Sequence, residues 1–365
     1  MKKVFLFLFF IQPFFIQAQT PKTNNRVIVV SGGGCRGAWG AGFANRLTDS
    51  FGIYNVAFGT STGSLMNPLI LLGDFKRLKE AYTTVTPEKI FNVNPFDKEG
   101  EVCLWNALVR VVLRKNTLGE TDALHKLIND FLKDEDYTAI QAQHKFLAVG
   151  VTDLKNSEHK MKYSLPFNGE PAIDRAGEMK DWIWASCNQP ILMTYYPSKK
   201  HPNRKEEGHF YVDGGLRQTV PLFEALHYAF ADKKVKNIDV IINQPMLPQF
   251  KEKDDPKTIL KSLKRTTDIW RTEVIDDDIL VATQDTHCND ADTIHISLHY
   301  FPPAYFEEND LHFDAGEMTE MWNAGYRGEE DKPTLINFRQ TEVTVCRRKI
   351  ALYFEELNNY KKRFR

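Results

Sequence analysis

Apolar positions gather into short unbroken runs in the first part of the chain and into wider-spaced patterns later. Val27-Ile28-Val29-Val30 is continuous and β-branched, which predicts a strand buried on both faces. Ile53–Phe58, Lys145–Val151, His209–Val212 and Ile238–Ile242 predict further strands. Between them, Gly37 to about Leu47 and Ser61 to about Leu72 read as helices. Strands that alternate with helices imply a mostly parallel sheet covered on both sides. The expected fold class is therefore α/β, a three-layer sandwich around a mostly parallel central sheet.

The pattern changes between Thr83 and Tyr137, where no strand-like run is found. Leu104, Trp105, Leu108, Val111 and Val112 recur at helical spacing. Thr117-Leu118-Gly119-Glu120 resembles a capping box before a helix with Leu124, Leu127, Ile128 and Phe131. We expect a helical insertion over about residues 83–137, with Leu104–Leu113 as core or, less often for such a pattern, as the wall of an acyl groove. Ser198–Gly208 and Phe250–Lys257 read as exposed loops, and Val343–Arg365 as a final helix within a tail at 331–365.

The first residues have their own signature. Met1-Lys2-Lys3 is positive, Val4–Ile16 is almost wholly apolar, and Ala18 offers a small residue for cleavage. This predicts a signal peptide over residues 1–18 and an exported protein, periplasmic, cell-surface or secreted. A retained anchor is the alternative, though the run is short for a membrane span. No alternating stretch suggests a β-barrel. Lys+Arg total 47 against Asp+Glu 48, so no charge excess argues for nucleic acid. The five cysteines, Cys35, Cys103, Cys187, Cys288 and Cys346, are scattered and form no C-x-x-C. Neither a disulfide framework nor a zinc site is expected, and the thiols are expected to be mostly free.

Two glycine motifs follow the first two strands. Gly32-Gly33-Gly34-Cys35-Arg36-Gly37 opens the first helix. Glycines there can turn their N–H groups outward, and the helix start adds positive potential, so the loop suits an anion. The same residues match G-x-G-x-x-G. A dinucleotide fold, however, places an acid at the tip of the second strand, and here that strand ends in Gly59-Thr60-Ser61. Gly59-Thr60-Ser61-Thr62-Gly63 is a G-x-S-x-G match between an apolar strand and an apolar helix, the context of a nucleophile elbow. A plain serine helix cap would explain an isolated match as well. None of the ten histidines stands in a triad context. Asp213-Gly214-Gly215 ends a short strand and offers a carboxylate instead, although the same residues also suit a hairpin turn.

Taken together, these blocks resemble the patatin-like phospholipase family. Ser31-Gly32-Gly33-Gly34-Cys35-Arg36-Gly37 is similar to its oxyanion-hole block. Gly59-Thr60-Ser61-Thr62-Gly63 is similar to its nucleophile block, and Asp213-Gly214-Gly215 to its dyad block. Ala185-Ser186-Cys187-Asn188-Gln189-Pro190 is similar to a fourth block, with Asn188 in place of the usual alanine. The resemblance spans about residues 26–330. It implies a patatin-like domain, Ser61 as nucleophile and Asp213 as base. Gly32, Gly33 and Gly34 would bind the oxyanion, with Arg36 lending charge or holding the loop. Gly59 and Gly63 would shape the elbow, and Gly214 and Gly215 the turn after the base.

Aspartate is a weak base for a serine hydroxyl. The oxyanion donors must then supply much of the rate, roughly 2.7–4 kcal/mol each, and activity should fall on the acid side. The resemblance implies an exported lipid acyl hydrolase of phospholipase A or lysophospholipase type, working through an acyl-enzyme. No cofactor, calcium or other metal is expected, since the glycine loop takes a metal's place. The expected partners are a lipid or other ester and a membrane surface, with no nucleic acid. A short-chain carboxylesterase or thioesterase with the same dyad, and an idle lipid-binding protein, are the alternatives.

Overall fold

The computed structural model describes residues 24–97, 102–246, 259–283, 293–303, 311–329 and 341–346. The expected leader, the loop at 250–257 and residues 347–365 of the tail lie outside them. Eight strands form one mixed sheet: β1 (Arg26–Val30), β2 (Val56–Thr60), β3 (Phe146–Asp153), β4 (Glu158–Tyr163), β5 (Tyr211–Asp213), β6 (Asn237–Ile242), β7 (Thr293–Tyr300) and β8 (Thr341–Cys346). The order is β4-β3-β2-β1-β6-β7-β8, with β5 also pairing β3. The five central strands β3, β2, β1, β6 and β7 are parallel, whereas β4, β5 and β8 run antiparallel to their neighbours.

Eleven helices are described: α1 (Gly37–Phe51), α2 (Thr62–Leu72), α3 (Phe75–Thr83), α4 (Pro87–Ile90), α5 (Leu104–Val112), α6 (Asp122–Phe131), α7 (Asp134–Ala142), α8 (Ala176–Cys187), α9 (Leu222–Ala231), α10 (Ile259–Thr283) and α11 (Ala315–Arg327). Strand alternation divides the core. Ile28 and Val30 of β1 join the cluster under α1, α2, α3, α8 and α11. Val27 and Val29 join the one under α9 and Ile275 of α10. A strand buried on both faces needs apolar residues at every position, which is why β1 reads as an unbroken run. The result is the three-layer α/β arrangement with helices on both sides of the sheet.

After β1 the chain builds outward through β2 and β3 on one side, and from β6 through β7 to β8 on the other. The loop after β1 therefore lies where strand order reverses, the place at which open α/β sheets hold ligands. At the other end of the sheet, buried Asp239 accepts two hydrogen bonds of 2.6 Å from Arg26 and one of 2.8 Å from Tyr54. That charge is compensated far from the loop.

Several expectations differ from the structure. Val343–Cys346 belongs to β8, not to a final helix, because Thr-Glu-Val-Thr-Val-Cys is a β-branched segment that completes the sheet edge on β7. Thr117–Glu120 is not a capping box. The Thr117 hydroxyl donates to the Gly119 carbonyl, Glu120 pairs with Arg110, and α6 starts at Asp122 behind Thr121. The stretch from 83 to 137 holds helices α4 to α6 and the start of α7, but α5 is not core: Leu104, Trp105, Leu108, Val111 and Val112 are exposed. Cys35, Cys103 and Cys187 are free thiols.

Candidate active site

Ser61 joins β2 to α2 with φ 54° and ψ −124°. Few non-glycine residues adopt such a backbone, and its cost is of order 1–3 kcal/mol. The surroundings hold it in place. The Ser61 N–H donates to Ser186 Oγ at 2.9 Å, and its carbonyl accepts from Ser64 N at 2.8 Å. The thiol of Cys187 donates to the same carbonyl at 3.3 Å. Gly63 permits the turn by close approach, since a methyl group there would lie 2.1 Å from the Val30 carbonyl oxygen. Helix α2 is thereby pressed onto the end of β1, and the serine onto the glycine loop. A methyl group at Gly32 would lie 3.3 Å from Ser61 Cβ and 3.9 Å from Oγ.

The three loop glycines do different things. The Gly32 N–H donates to the Thr219 carbonyl at 3.2 Å, so Gly32 is no free donor for an oxyanion; it secures the loop. Gly33 and Gly34 donate their N–H groups to no acceptor among the described residues. Gly34 has φ 55° and shares the lining of one cleft with Ser61. Of the two parts open to Arg36, the geometry favours holding the loop. Its guanidinium is buried, donates to Gln244 beyond β6 and lies 6.0 Å from the centroid of the Phe301 ring. Asn243 braces the same loop, giving its N–H to Ser31 Oγ at 2.8 Å and its side-chain amide to the Ser31 carbonyl at 3.0 Å.

Asp213 ends β5, opposite Val151 of β3, while Thr60 is opposite the adjacent Gly150. The residue after the acid thus meets the residue before the serine: a methyl group at Gly214 would lie 3.0 Å from Thr60 Cγ2. Ser61 and Asp213 are only 7% and 6% exposed. The Asp213 carboxylate accepts from Gly215 N at 2.8 Å, and its own N–H donates to the Asn188 carbonyl at 2.8 Å. Cys187 stands next to both residues. Burial first, and then the Asp213 charge, push its thiol well above its ordinary value, so it stays protonated and is a hydrogen-bond donor, not a second nucleophile.

From Gly34 and Ser61 an apolar cleft runs between α2, α3, α4, α6, α8 and α11. Its walls include Leu69, Leu78, Ile128, Phe131, Ile183 and Met318. The sequence reading placed an acyl groove, if anywhere, at α5, and α5 contributes nothing to this lining. It also missed Asn188 as a tie. The Asn188 carbonyl holds Asp213, while its side-chain oxygen accepts from Thr121 Oγ1, at the start of α6, at 2.6 Å. The departure from alanine at this position was the available signal.

No cation site adjoins the serine among the described residues. His125, Asp181 and His201 offer ligand atoms within 4.8 Å of one another. The imidazoles are already paired, His125 with Asp181 at 2.7 Å and His201 with Asp122 at 3.2 Å.

The arrangement supplies a strained serine, a buried carboxylate on the neighbouring strand end, two unused N–H donors and an apolar cleft, which are parts that acyl transfer can use. The family model for patatin-like phospholipases matches residues 28–226. No curated protein matches the sequence. Among solved structures, VipD from Legionella pneumophila aligns with 13% identity over 82% of this chain and 67% of that chain, at a TM-score of 0.38.

Proposed function

Since the chain belongs to the patatin-like phospholipase family, whose chemistry is hydrolysis of lipid acyl esters, we propose that it releases fatty acid from lipid carboxylic esters through Ser61 and Asp213. The observation that carries this reading is the cleft. Its apolar walls converge on Ser61 and Gly34, so an acyl chain lying in it brings its carbonyl carbon to the hydroxyl.

In the proposed sequence, Ser61 Oγ attacks the ester carbonyl as its proton passes to the Asp213 carboxylate. The N–H groups of Gly33 and Gly34 stabilise the tetrahedral oxyanion, aided by the positive ends of α1 and α2. Collapse expels the alcohol, which takes the proton from Asp213 and leaves acyl-Ser61. Water then attacks the acyl carbon and gives a proton to Asp213. A second collapse frees the fatty acid and returns that proton to Ser61.

Export belongs to the same proposal, supported by Lys2 and Lys3 ahead of the apolar Val4–Ile16. The intact mass of protein recovered outside the cytoplasm tests it.

Labelling by a fluorophosphonate and fatty-acid release from dispersed phospholipid test the chemistry. Ser61→Ala should abolish labelling, and it should lower turnover by at least about 10³-fold, as should Asp213→Asn with the fold retained. Equal labelling of wild type and Ser61→Ala would falsify the assignment. Turnover of short-chain esters only, with none of phospholipid, would point to the carboxylesterase alternative.

A further inference from the structure

Helix α5 is turned inside out. Leu104 is 65% exposed, Trp105 72%, Val111 65% and Val112 72%, with Leu108 and Leu113 also in solvent. The residue it buries is its one charged residue, Arg110. The guanidinium donates to the Thr117 carbonyl at 2.6 Å and pairs with Glu120 at 3.2 Å. Water alone would favour the opposite orientation, with the arginine outward and the leucines inward. An apolar patch on one short helix, presented by an ion pair on its inner side, marks a contact surface.

Charge and position say what kind of contact. From Val102 to Gly119 the chain has no acidic residue, and Arg114 and Lys115 follow the apolar helix in exposed positions. Leucine, valine and tryptophan flanked by basic residues fit the boundary between acyl chains and anionic headgroups. The segment after α5 also reaches the catalytic cleft. The Leu118 N–H donates to the Ile191 carbonyl at 2.7 Å. Ile191 is exposed, and Gln189 and Met193 on either side of it line the cleft.

We propose that α5 docks the protein onto an anionic lipid surface, setting the cleft against the layer that holds its substrate. The proposal rests on the lipid-hydrolase reading above but uses residues outside that chemistry. Ser61→Ala protein in its exported form, freed of the apolar leader at residues 1–18 and leaving lipids intact, is sedimented with vesicles of phosphatidylcholine containing one quarter phosphatidylglycerol. It should bind. Adding Leu108→Asp and Val112→Asp should lower the partition coefficient at least about tenfold, with thermal unfolding unchanged. Adding Arg114→Glu and Lys115→Glu should weaken binding to these vesicles by about fivefold per residue, and much less on pure phosphatidylcholine.

In the active protein, Leu108→Asp/Val112→Asp should slow vesicle hydrolysis while turnover of a soluble short-chain ester stays as in wild type. No vesicle binding by Ser61→Ala protein, or equal binding by the aspartate variants, overturns the docking role even if wild type cleaves esters. Vesicle binding without any ester cleavage overturns the chemistry and leaves docking standing. A wild-type dimer that the two aspartates render monomeric makes α5 a seam between copies and also overturns the proposal.

Discussion

In α6, Leu124 and Ile128 are buried against the cleft while Lys126 and Asp130 stand in water. In α5, the leucines, valines and tryptophan stand in water while Arg110 is buried. Both helices lie between β2 and β3 and both repeat apolar residues at helical spacing. The difference lies in what each meets. Helix α6 packs on α4 and α8 and closes a wall of the cleft. Helix α5 is fixed by one guanidinium to the segment that follows it, at Thr117 and Glu120. Periodicity says which residues share a face; only the partner decides whether that face turns inward.

The sharpest way to break this comparison is to place one carboxylate in each helix. Ile128→Asp buries an unpaired charge and should cost more than about 4 kcal/mol, enough to unfold much of the protein, whereas Leu108→Asp should stay within about 0.5 kcal/mol of wild type. Thermal denaturation decides, and equal losses would show that α5 is core after all. A smaller effect is expected from Arg110→Met. It removes the tie to Thr117 and Glu120 and should cost about 1–3 kcal/mol. Proteolysis across residues 104–116 should quicken while the α6 amides keep their hydrogen-exchange protection.

The smallest effect concerns pH. Burial first, and then the neighbouring His125, hold His201 below its ordinary 6.5, despite the pull of Asp122 and Asp181. A histidine kept neutral by folding stabilises fully above its unfolded pKa, and that contribution is lost as pH falls through the lower folded value. Below about pH 6.5, hydrogen exchange in α6 should rise while α5 stays as it was. His201→Gln should flatten that response, and an unaltered response would remove His201 from the account.

What the sequence discloses follows the same logic. Strands β1, β2, β3 and β6 are legible because a strand buried on both faces needs apolar residues throughout. The serine turn and the acid are legible because glycines stand where backbones nearly touch, as Gly63 does on Val30 and Gly214 on Gly150. The cleft is not legible: its walls come from six helices spread along the chain. Strand β7, Thr-Ile-His-Ile-Ser-Leu-His-Tyr, alternates and has no unbroken run to mark it. The duty of Arg36 is hidden too, since its partner Gln244 lies beyond β6. Nor does the motif show that Gly32 spends its amide on Thr219.

Asn188 gives the cleft a mechanical property. One end of this residue grips the peptide of Asp213 and the other the hydroxyl that heads α6. One wall of the cleft and Asp213 are thus fastened to a single bolt. Any swing of α6 that admits a bulkier chain must strain or release that bolt. On the proposed function, a substrate too wide for the cleft would disturb Asp213 as it displaces α6.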